Sequence, residues 1–303
     1  MGHGRFASAP MGLTVRMGIR IRAPREFVFQ HLLTAHHMAR WFCNFAQFDT
    51  RGPAVGSKFR FGGDYAIAGT EPPGWACEIL GGEVLRSVSF RWPLFGADTR
   101  VDWRVEDASE GSTIYVVHSI LPREDTTCGT FVDAWRICLG NLKAITEARD
   151  DSLRPDSTPI TEPRMKFDLL VDAPPAKVLD ALTKPDAVRR WAETSEPAID
   201  PRVGGKFEIG WPQARAGVIE AIEPAKGLVV KWSRDARMSI RLEEKSGNRS
   251  GVYVAYEGFP IQNPQDALRT RCNGAAFLVG LKNFLEAGDP GFTEPYGEQI
   301  VHE

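Results

Sequence analysis

The sequence predicts an α+β fold built twice: two tandem domains, each a curved antiparallel sheet wrapped on a long C-terminal helix. Three observations carry this. The 303-residue chain aligns with itself in order. Each copy reads strand, two short helices, several strands, then one long helix. The connections between successive strands are short, and short connections join antiparallel neighbours, because a parallel crossover needs a dozen or more residues.

The repeat is collinear. A shift of 150 lays Ala23-Pro24 on Ala173-Pro174, Leu32 on Leu182 and Arg40-Trp41 on Arg190-Trp191. A shift of 148 lays Val55-Gly56-x-Lys58-Phe59 on Val203-Gly204-x-Lys206-Phe207. Trp92 then meets Trp232 at 140, and Leu142-Lys143 meets Leu281-Lys282 at 139. The shift only shrinks, as loop deletions in the second copy would make it, so the whole chain is a duplication. It divides into a first domain at 12–149, a linker at 150–164, a second domain at 165–287 and a tail at 288–303.

Within each copy the first strand alternates. Val15, Met17, Ile19 and Ile21 face one way while Arg16, Arg20 and Arg22 face the other; Phe167, Leu169 and Val171 repeat this against Lys166, Asp168 and Asp172. Such a period marks a sheet with one packed and one wet face. Ala-Pro starts a short helix, since proline suits the first helical turn, and Phe27, Val28 and Leu32, matched by Val178 and Leu182, supply its apolar side. A second short helix ends in Arg-Trp. Strands follow at Lys58–Gly62, Trp75–Leu80, Ser87–Trp92, Arg100–Glu106 and Thr113–Ile120. The second copy offers Gly205–Gly210, Gly217–Ile222, Leu228–Trp232, Met238–Glu243 and Gly251–Glu257. The last helix shows one apolar stripe in the first copy, Phe131, Trp135, Leu139 and Leu142. In the second, Asn263-Pro264 and Asp266 form its start signal. The linker is rich in Pro, Ser, Thr and charge, and the tail reads as irregular.

Composition narrows the function classes. The chain is 43% hydrophobic and 25% charged, an ordinary globular balance. Net charge is +1 to Asp150 and −3 beyond it, without the basic excess that phosphate-driven binding needs, so no nucleic-acid partner is expected. No apolar run has the length of a membrane span or a signal core. Five cysteines, Cys43, Cys77, Cys128, Cys138 and Cys272, include no CxxC and read as free thiols of a cytoplasmic protein.

A helix laid across a curved sheet leaves a gap, and the side chains expected to face it are unusually aromatic. In the first copy they are Trp41, Phe59, Phe61, Trp75, Phe90, Trp92, Trp103, Tyr115, Phe131 and Trp135, joined by His118 and Leu139. In the second they are Trp191, Phe207, Trp211, Trp232, Tyr256 and Phe277, with Tyr253 and Phe284 nearby. Aromatic walls suit flat or polycyclic ligands, and they also suit a solid core. Gly274 stands at the place aligned with Trp135, which opens or repacks the second gap, and the first copy keeps the longer loop around Gly69–Gly74 and four histidines, so the first gap is the expected ligand site if only one is used.

The paired Ala-Pro, Arg-Trp, Val-Gly-x-Lys-Phe and Leu-Lys motifs resemble the START-like superfamily, also called SRPBCC, helix-grip or Bet v 1-like. Within it they are most similar to the family of the activator of heat-shock protein ATPase, from about Thr14 to Ala287. The resemblance implies a hydrophobic cavity. It implies a binder of a bulky hydrophobic or polycyclic small molecule, such as a polyketide or enediyne-like natural product. The role would be a carrier in biosynthesis, or antibiotic self-resistance by sequestration or by cleavage of the protein's own backbone at a glycine. Family members also include polyketide cyclases and co-chaperones that stimulate a heat-shock ATPase.

The residues themselves favour binding over catalysis. His36-His37 lies at a helix junction and nothing completes a metal spacing, so no metal and no cofactor are expected. His118 shares a strand face with Val116 and Ile120, the place of a satisfied core or wall histidine rather than a general base, and it is the candidate to meet a ligand hydroxyl. The carboxylates show no pairing common to both copies, and no nucleophile elbow, phosphate loop or dinucleotide fingerprint occurs, so no catalytic residue is assigned.

Overall fold

The computed structural model describes residues 13–49, 54–69, 73–94, 96–121, 125–150, 152–210, 215–259, 264–294 and 300–302. The first copy runs β1 (Leu13–Ile21), α1 (Arg25–Leu33), α2 (Ala35–Trp41), β2 (Phe45–Phe48), β3 (Lys58–Gly62), β4 (Trp75–Gly81), β5 (Ser87–Leu94), β6 (Ala97–Ala108), β7 (Gly111–Leu121) and α3 (Asp125–Thr146). The second runs β8 (Arg164–Val171), α4 (Pro175–Thr183), α5 (Pro185–Trp191), β9 (Ala198–Ile199), β10 (Lys206–Glu208), β11 (Gly217–Glu223), β12 (Gly227–Lys231), β13 (Arg237–Lys245), β14 (Arg249–Glu257) and α6 (Pro264–Ala287). A final strand, β15 (Ile300–His302), lies in the tail.

The two sheets have the orders β15-β1-β7-β6-β5-β4-β3-β2 and β8-β14-β13-β12-β11-β10-β9, and every pairing is antiparallel. This is the α+β, helix-grip architecture, twice. Each sheet turns its alternating apolar face towards its long helix, and two cores result. β2 and β9 were not legible, being four and two residues long, too short for a period. β15 comes from the stretch read as irregular, because its strand character exists only through pairing with β1. The proposed cap Asn263 lies outside the described residues.

The repeated motifs are structural devices. Trp41 Nε1 donates to the His31 carbonyl at 3.0 Å, and Trp191 Nε1 donates to the Ala181 carbonyl at 2.9 Å. In each copy, therefore, the Arg-Trp motif staples the second short helix to the first. In the Val-Gly-x-Lys-Phe motif, Gly56 and Gly204 sit at φ +80° and +79°, a left-handed conformation that costs glycine nothing. Their amides donate to the carbonyls of Ile79 and Ile219, both at 2.8 Å, which seats Phe59 and Phe207 in the cores.

The domains meet along α3 and α6. The helices approach so closely that a Cβ on Gly140 would lie 2.4 Å from the Val279 side chain, and Asn283 Nδ2 donates to the Gly140 carbonyl at 3.1 Å. Beside this contact the repeat places one ion pair per domain. Lys143 Nζ donates to Glu147 Oε1 (2.7 Å) and to the Arg20 carbonyl (2.8 Å). Lys282 Nζ donates to Glu286 Oε1 (2.5 Å) and to the Leu170 carbonyl (2.7 Å). Arg149, the third residue past α3, joins both: one guanidinium nitrogen meets Glu147 Oε2 at 2.9 Å and another meets Glu286 Oε2 at 3.0 Å.

The linker is pinned rather than loose. Arg154 donates to the carbonyls of Cys43 and Ala39, both at 2.6 Å, Asn141 Nδ2 donates to the Leu153 carbonyl, and Arg271 of α6 donates to the carbonyls of Asp156 and Thr158. The tail straps back over the first domain, with Phe292 buried in its core and Arg136 stacked 4.0 Å from the Phe292 ring.

Removing Arg149 leaves two buried carboxylates short of a counter-charge. Arg149→Ala is expected to lower the free energy of unfolding by about 3 kcal/mol, read by urea denaturation at pH 7. Arg149→Lys should recover only part of this, because a single ammonium cannot bridge both carboxylates as a fork does. Burial raises the Glu147 carboxyl, but the Arg22 amide, Lys143 and Arg149 outweigh it and hold the group below its ordinary value. Its stabilisation is therefore present above the unfolded carboxyl range and is lost as pH falls through the lowered one.

Candidate functional site

In the first domain the expected wall residues pack on one another. Trp41, Phe59, Phe61, Phe90, Trp92, Trp103, Phe131, Trp135 and Leu139 are all buried in one cluster. Its centre is Phe42, which the sequence reading passed over. The Phe42 ring lies 4.7 Å from Phe61, 5.7 Å from Trp103 and 5.5 Å from Trp135, stacked on the last. Trp103 also touches Trp41 (5.7 Å) and Phe90 (4.9 Å), edge to face on the latter. Such offset and edge-on contacts satisfy the ring quadrupoles and fill the gap.

His118 is enclosed in the same cluster. Its ring stacks on Trp92 at 5.2 Å. Trp135 Nε1 donates to His118 Nδ1 at 3.3 Å, so that nitrogen is an acceptor and the ring proton sits on Nε2, which donates to Thr99 Oγ1 at 3.0 Å. Thr99 in turn donates to the Trp92 carbonyl at 2.6 Å. Both ring nitrogens are thus engaged within the protein rather than offered to a ligand hydroxyl. Burial depresses the imidazole pKa to about 3. The hydrogen-bonding is not complete: Trp92 Nε1 and Trp103 Nε1 are buried without a hydrogen-bond partner among the described residues, and each such donor costs about 1–3 kcal/mol.

Two expected wall residues lie elsewhere. Tyr115 stands at odd parity to Ile114, Val116 and His118, on the outer face of its strand, with the Arg104 guanidinium 5.0 Å from its ring. Tyr253 repeats this under Arg241 at 4.0 Å. Trp75 is half-buried at the sheet's end, where its Nε1 donates to the Gly69 carbonyl at 2.6 Å; it lines a surface cleft of about 660 Å³ with Asp64, Ser157 and Thr158.

The second domain differs at the same places. The repeat sets Ala192 at the position of Phe42, Ile209 at Phe61 and Gly274 at Trp135. Strand register extends the comparison: Trp103 opposite Val116 becomes Ile240 opposite Val254, and His118 opposite Val101 becomes Tyr256 opposite Met238. Large rings give way to small side chains, and a cavity of about 170 Å³ remains between sheet and α6. Phe207, Ile209, Arg215, Trp232, Met238, Tyr256, Asn273 and Phe277 line it. The aligned gap therefore lies in the second domain, whereas the reading from loops and histidines favoured the first.

The polar equipment of this cavity is sparse. Trp232 Nε1 is committed to the Arg215 carbonyl at 2.9 Å. Burial raises the Tyr256 hydroxyl pKa, so it stays protonated and can donate. Gly274 is covered by neighbouring rings, since a Cβ there would lie 3.0 Å from Phe167 and 3.4 Å from Tyr256. Trp191 stacks edge-on with Phe277 at 4.4 Å and supports the wall from behind. Trp211 lies outside the described residues. Met238, Ile209, Asn273 and Arg215 were not expected here; the self-alignment could have found the first two, because they sit opposite or beside residues already aligned.

Among the described residues no group of three potential metal ligands occurs, and no helix is long and apolar enough to cross a membrane. Cys43, Cys77, Cys138 and Cys272 are buried free thiols whose pKa values burial raises, Cys43 and Cys272 to about 12.

A neutral buried His118 has a pH signature. The unfolded imidazole takes up a proton near pH 6.5 while the folded one does not until about pH 3. Between those values stability should fall by up to about 1.4 kcal/mol per pH unit on acidification. Urea denaturation from pH 7 to pH 4 should show this slope in the native chain and a shallower one in His118→Gln.

The chain is similar to known proteins in the following ways. No curated protein matches the chain in sequence. Among solved structures, DynU16, from the dynemicin biosynthetic locus, is similar over 91% of this chain and 98% of its own, with 17% identity and a TM-score of 0.38. CalU16 from Micromonospora echinospora has 19% identity over 47% of this chain and 76% of its own, with a TM-score of 0.36. The Aha1 dimer from Colwellia psychrerythraea has 18% identity over 44% of this chain and 96% of its own, with a TM-score of 0.37. The family model described as Activator of Hsp90 ATPase homolog 1-like protein matches residues 22–147 and again residues 172–286. With two such segments spanning most of its length, the chain belongs to the Activator of Hsp90 ATPase homolog 1-like family.

Proposed function

We propose that this protein captures a compact hydrophobic molecule of one or two rings, bearing an oxygen acceptor, in the gap between sheet and α6 of its second domain. The observation that supports this is the thinning of the ring plug, in which Phe42, Trp103 and Trp135 of the first domain become Ala192, Ile240 and Gly274, together with a cavity of about 170 Å³ lined by Ile209 at the place of Phe61, Met238, Tyr256 and Phe277. An apolar cavity of roughly 150 Å³ is enough to take benzene. The bulky polycyclic guest suggested by the family resemblance exceeds this space, so a larger natural product would insert one ring and leave the rest outside, beside the exposed Arg215.

The lining supports binding rather than proton-transfer catalysis. Among the described residues it contains no carboxylate and no imidazole, and the Tyr256 hydroxyl stays protonated at neutral pH. The first domain, with its interior occupied by its own rings, acts as the rigid partner against which α6 is braced. The role this fits is sequestration or carriage, in which a guest is held without being changed.

2-Naphthol and 4-nitrophenol are suitable probes. Binding is expected with Kd on the order of 10–100 µM, quenching Trp232 fluorescence and raising the melting temperature with probe concentration. Tyr256→Phe should weaken both probes about fivefold through the lost hydrogen bond, and Met238→Trp, which fills the space, should abolish saturable binding. If neither probe binds saturably to the native chain, the proposal is wrong.

A further inference from the structure

The two copies treat their first strands differently. In the first sheet the outer edge of β1 is covered by the tail: Leu13 pairs with His302 and Val15 with Ile300, the Arg20 amide donates to the Gly291 carbonyl at 2.8 Å, and the Thr293 amide donates to the Gly18 carbonyl at 3.0 Å. Glycine is required at 18 for this crossing, since a Cβ there would lie 2.3 Å from Thr293 Oγ1. In the second sheet β8 takes the place of β1, and no strand lies beyond it among the described residues. The segment that the duplication would send there, the stretch after α3, is spent instead on pinning the domains together through Arg154, Asn141 and Arg271.

The main chain of β8 shows which groups face this edge. The Pro163 carbonyl accepts from the Gly258 amide, on the β14 side. The Arg164 amide donates to the Glu162 carbonyl, and the Leu170 carbonyl accepts from Lys282, both on the other side. Strand parity then directs the N–H and C=O of Lys166 and Asp168 outward. No hydrogen bond among the described residues meets those four groups, and both side chains are exposed. An uncovered strand edge of this kind is a template for another strand.

We propose that this edge is the interface between two copies of the chain, β8 pairing antiparallel with β8 about a two-fold axis at Phe167. In that register Lys166 lies opposite Asp168 of the second copy, and Asp168 opposite its Lys166, so four main-chain hydrogen bonds form and two opposite charges face each other twice. The next pair outward is Arg164 with Leu170, and there the amide of one and the carbonyl of the other are already bonded within the chain. The four free groups of Lys166 and Asp168 are the ones the central pairing consumes. Moving the axis to Lys166 or to Asp168 sets that charge against its own copy, which directly opposed strand positions disfavour; the Lys166 axis would also set Asp168 against Arg164, whose amide is already given to the Glu162 carbonyl. The β1 edge cannot substitute, because the tail occupies it.

Charge exchange in the full-length chain tests this by sedimentation velocity from about 5 to about 500 µM. The native chain is expected to associate reversibly to a dimer in that range. K166D and D168K, each of which opposes like charges twice, should raise the dissociation constant at least about tenfold. The double variant K166D/D168K, which restores complementarity with the signs exchanged, should return within about threefold of the native value. Both positions are exposed, so unchanged melting temperatures check that the variants fold. A native chain that stays monomeric throughout overturns the proposal. So does a dimer indifferent to the single reversals, as exchange of the tails would produce, or a double variant no better than the singles.

Discussion

Everything about the tandem arrangement depends on charge buried at the seam between α3 and α6. Each copy brings a lysine and a glutamate one helical turn apart, with the lysine also holding the carbonyl of its own first strand. Alone, each pair would be a local brace of modest worth, because desolvation offsets much of the Coulomb attraction. Arg149 changes their meaning by taking one oxygen from each glutamate. The duplicated pairs become a single network, and the relative placement of the two domains is coupled to the satisfaction of buried charge. The Arg22 and Asp172 amides, donating to Glu147 and Glu286, carry that coupling into both sheets.

From that brace the two interiors have diverged. The first domain is closed by ring on ring, with a hydrogen-bonded chain from Trp135 through His118 and Thr99 to the Trp92 carbonyl threading the cluster. Directional contacts of this kind fix one packing and leave little for a guest to displace. The second domain keeps the stapling tryptophan and the seated Phe207 while shedding the central rings. Duplication allows this, since one copy supplies rigidity and the other is released from filling its own core. The Phe167 and Tyr256 rings take the volume given up at Gly274, and the space that remains lies beside them, along Ile209, Met238 and Phe277.

The same division of labour shows at the sheet edges. The chain's own tail seals β1, and the linker, which by symmetry would serve β8, is consumed in joining the domains. One sheet is thereby finished within the chain and the other is not. That asymmetry follows from a duplication having only one linker and one terminus to distribute.

By itself the sequence determined what depends on local pattern. Alternation in Val15–Ile21 and Phe167–Val171 decided which faces are buried, and the shrinking self-alignment decided that the fold occurs twice. The Arg-Trp and Val-Gly-x-Lys-Phe motifs were legible as packing and turn residues because their partners lie within a few turns of chain. Tertiary structure decided the rest. Tyr115 could be excluded from the interior by parity with His118, yet whether Trp92, Trp103 and Trp135 line a gap or fill it turned on Phe42 reaching them from another element. The Lys–Glu pairs were visible only as a repeated Leu-Lys; that Arg149 joins them depends on two helices meeting far apart in sequence. β15 had no periodicity to read, because three residues become a strand only when a distant edge offers them hydrogen bonds.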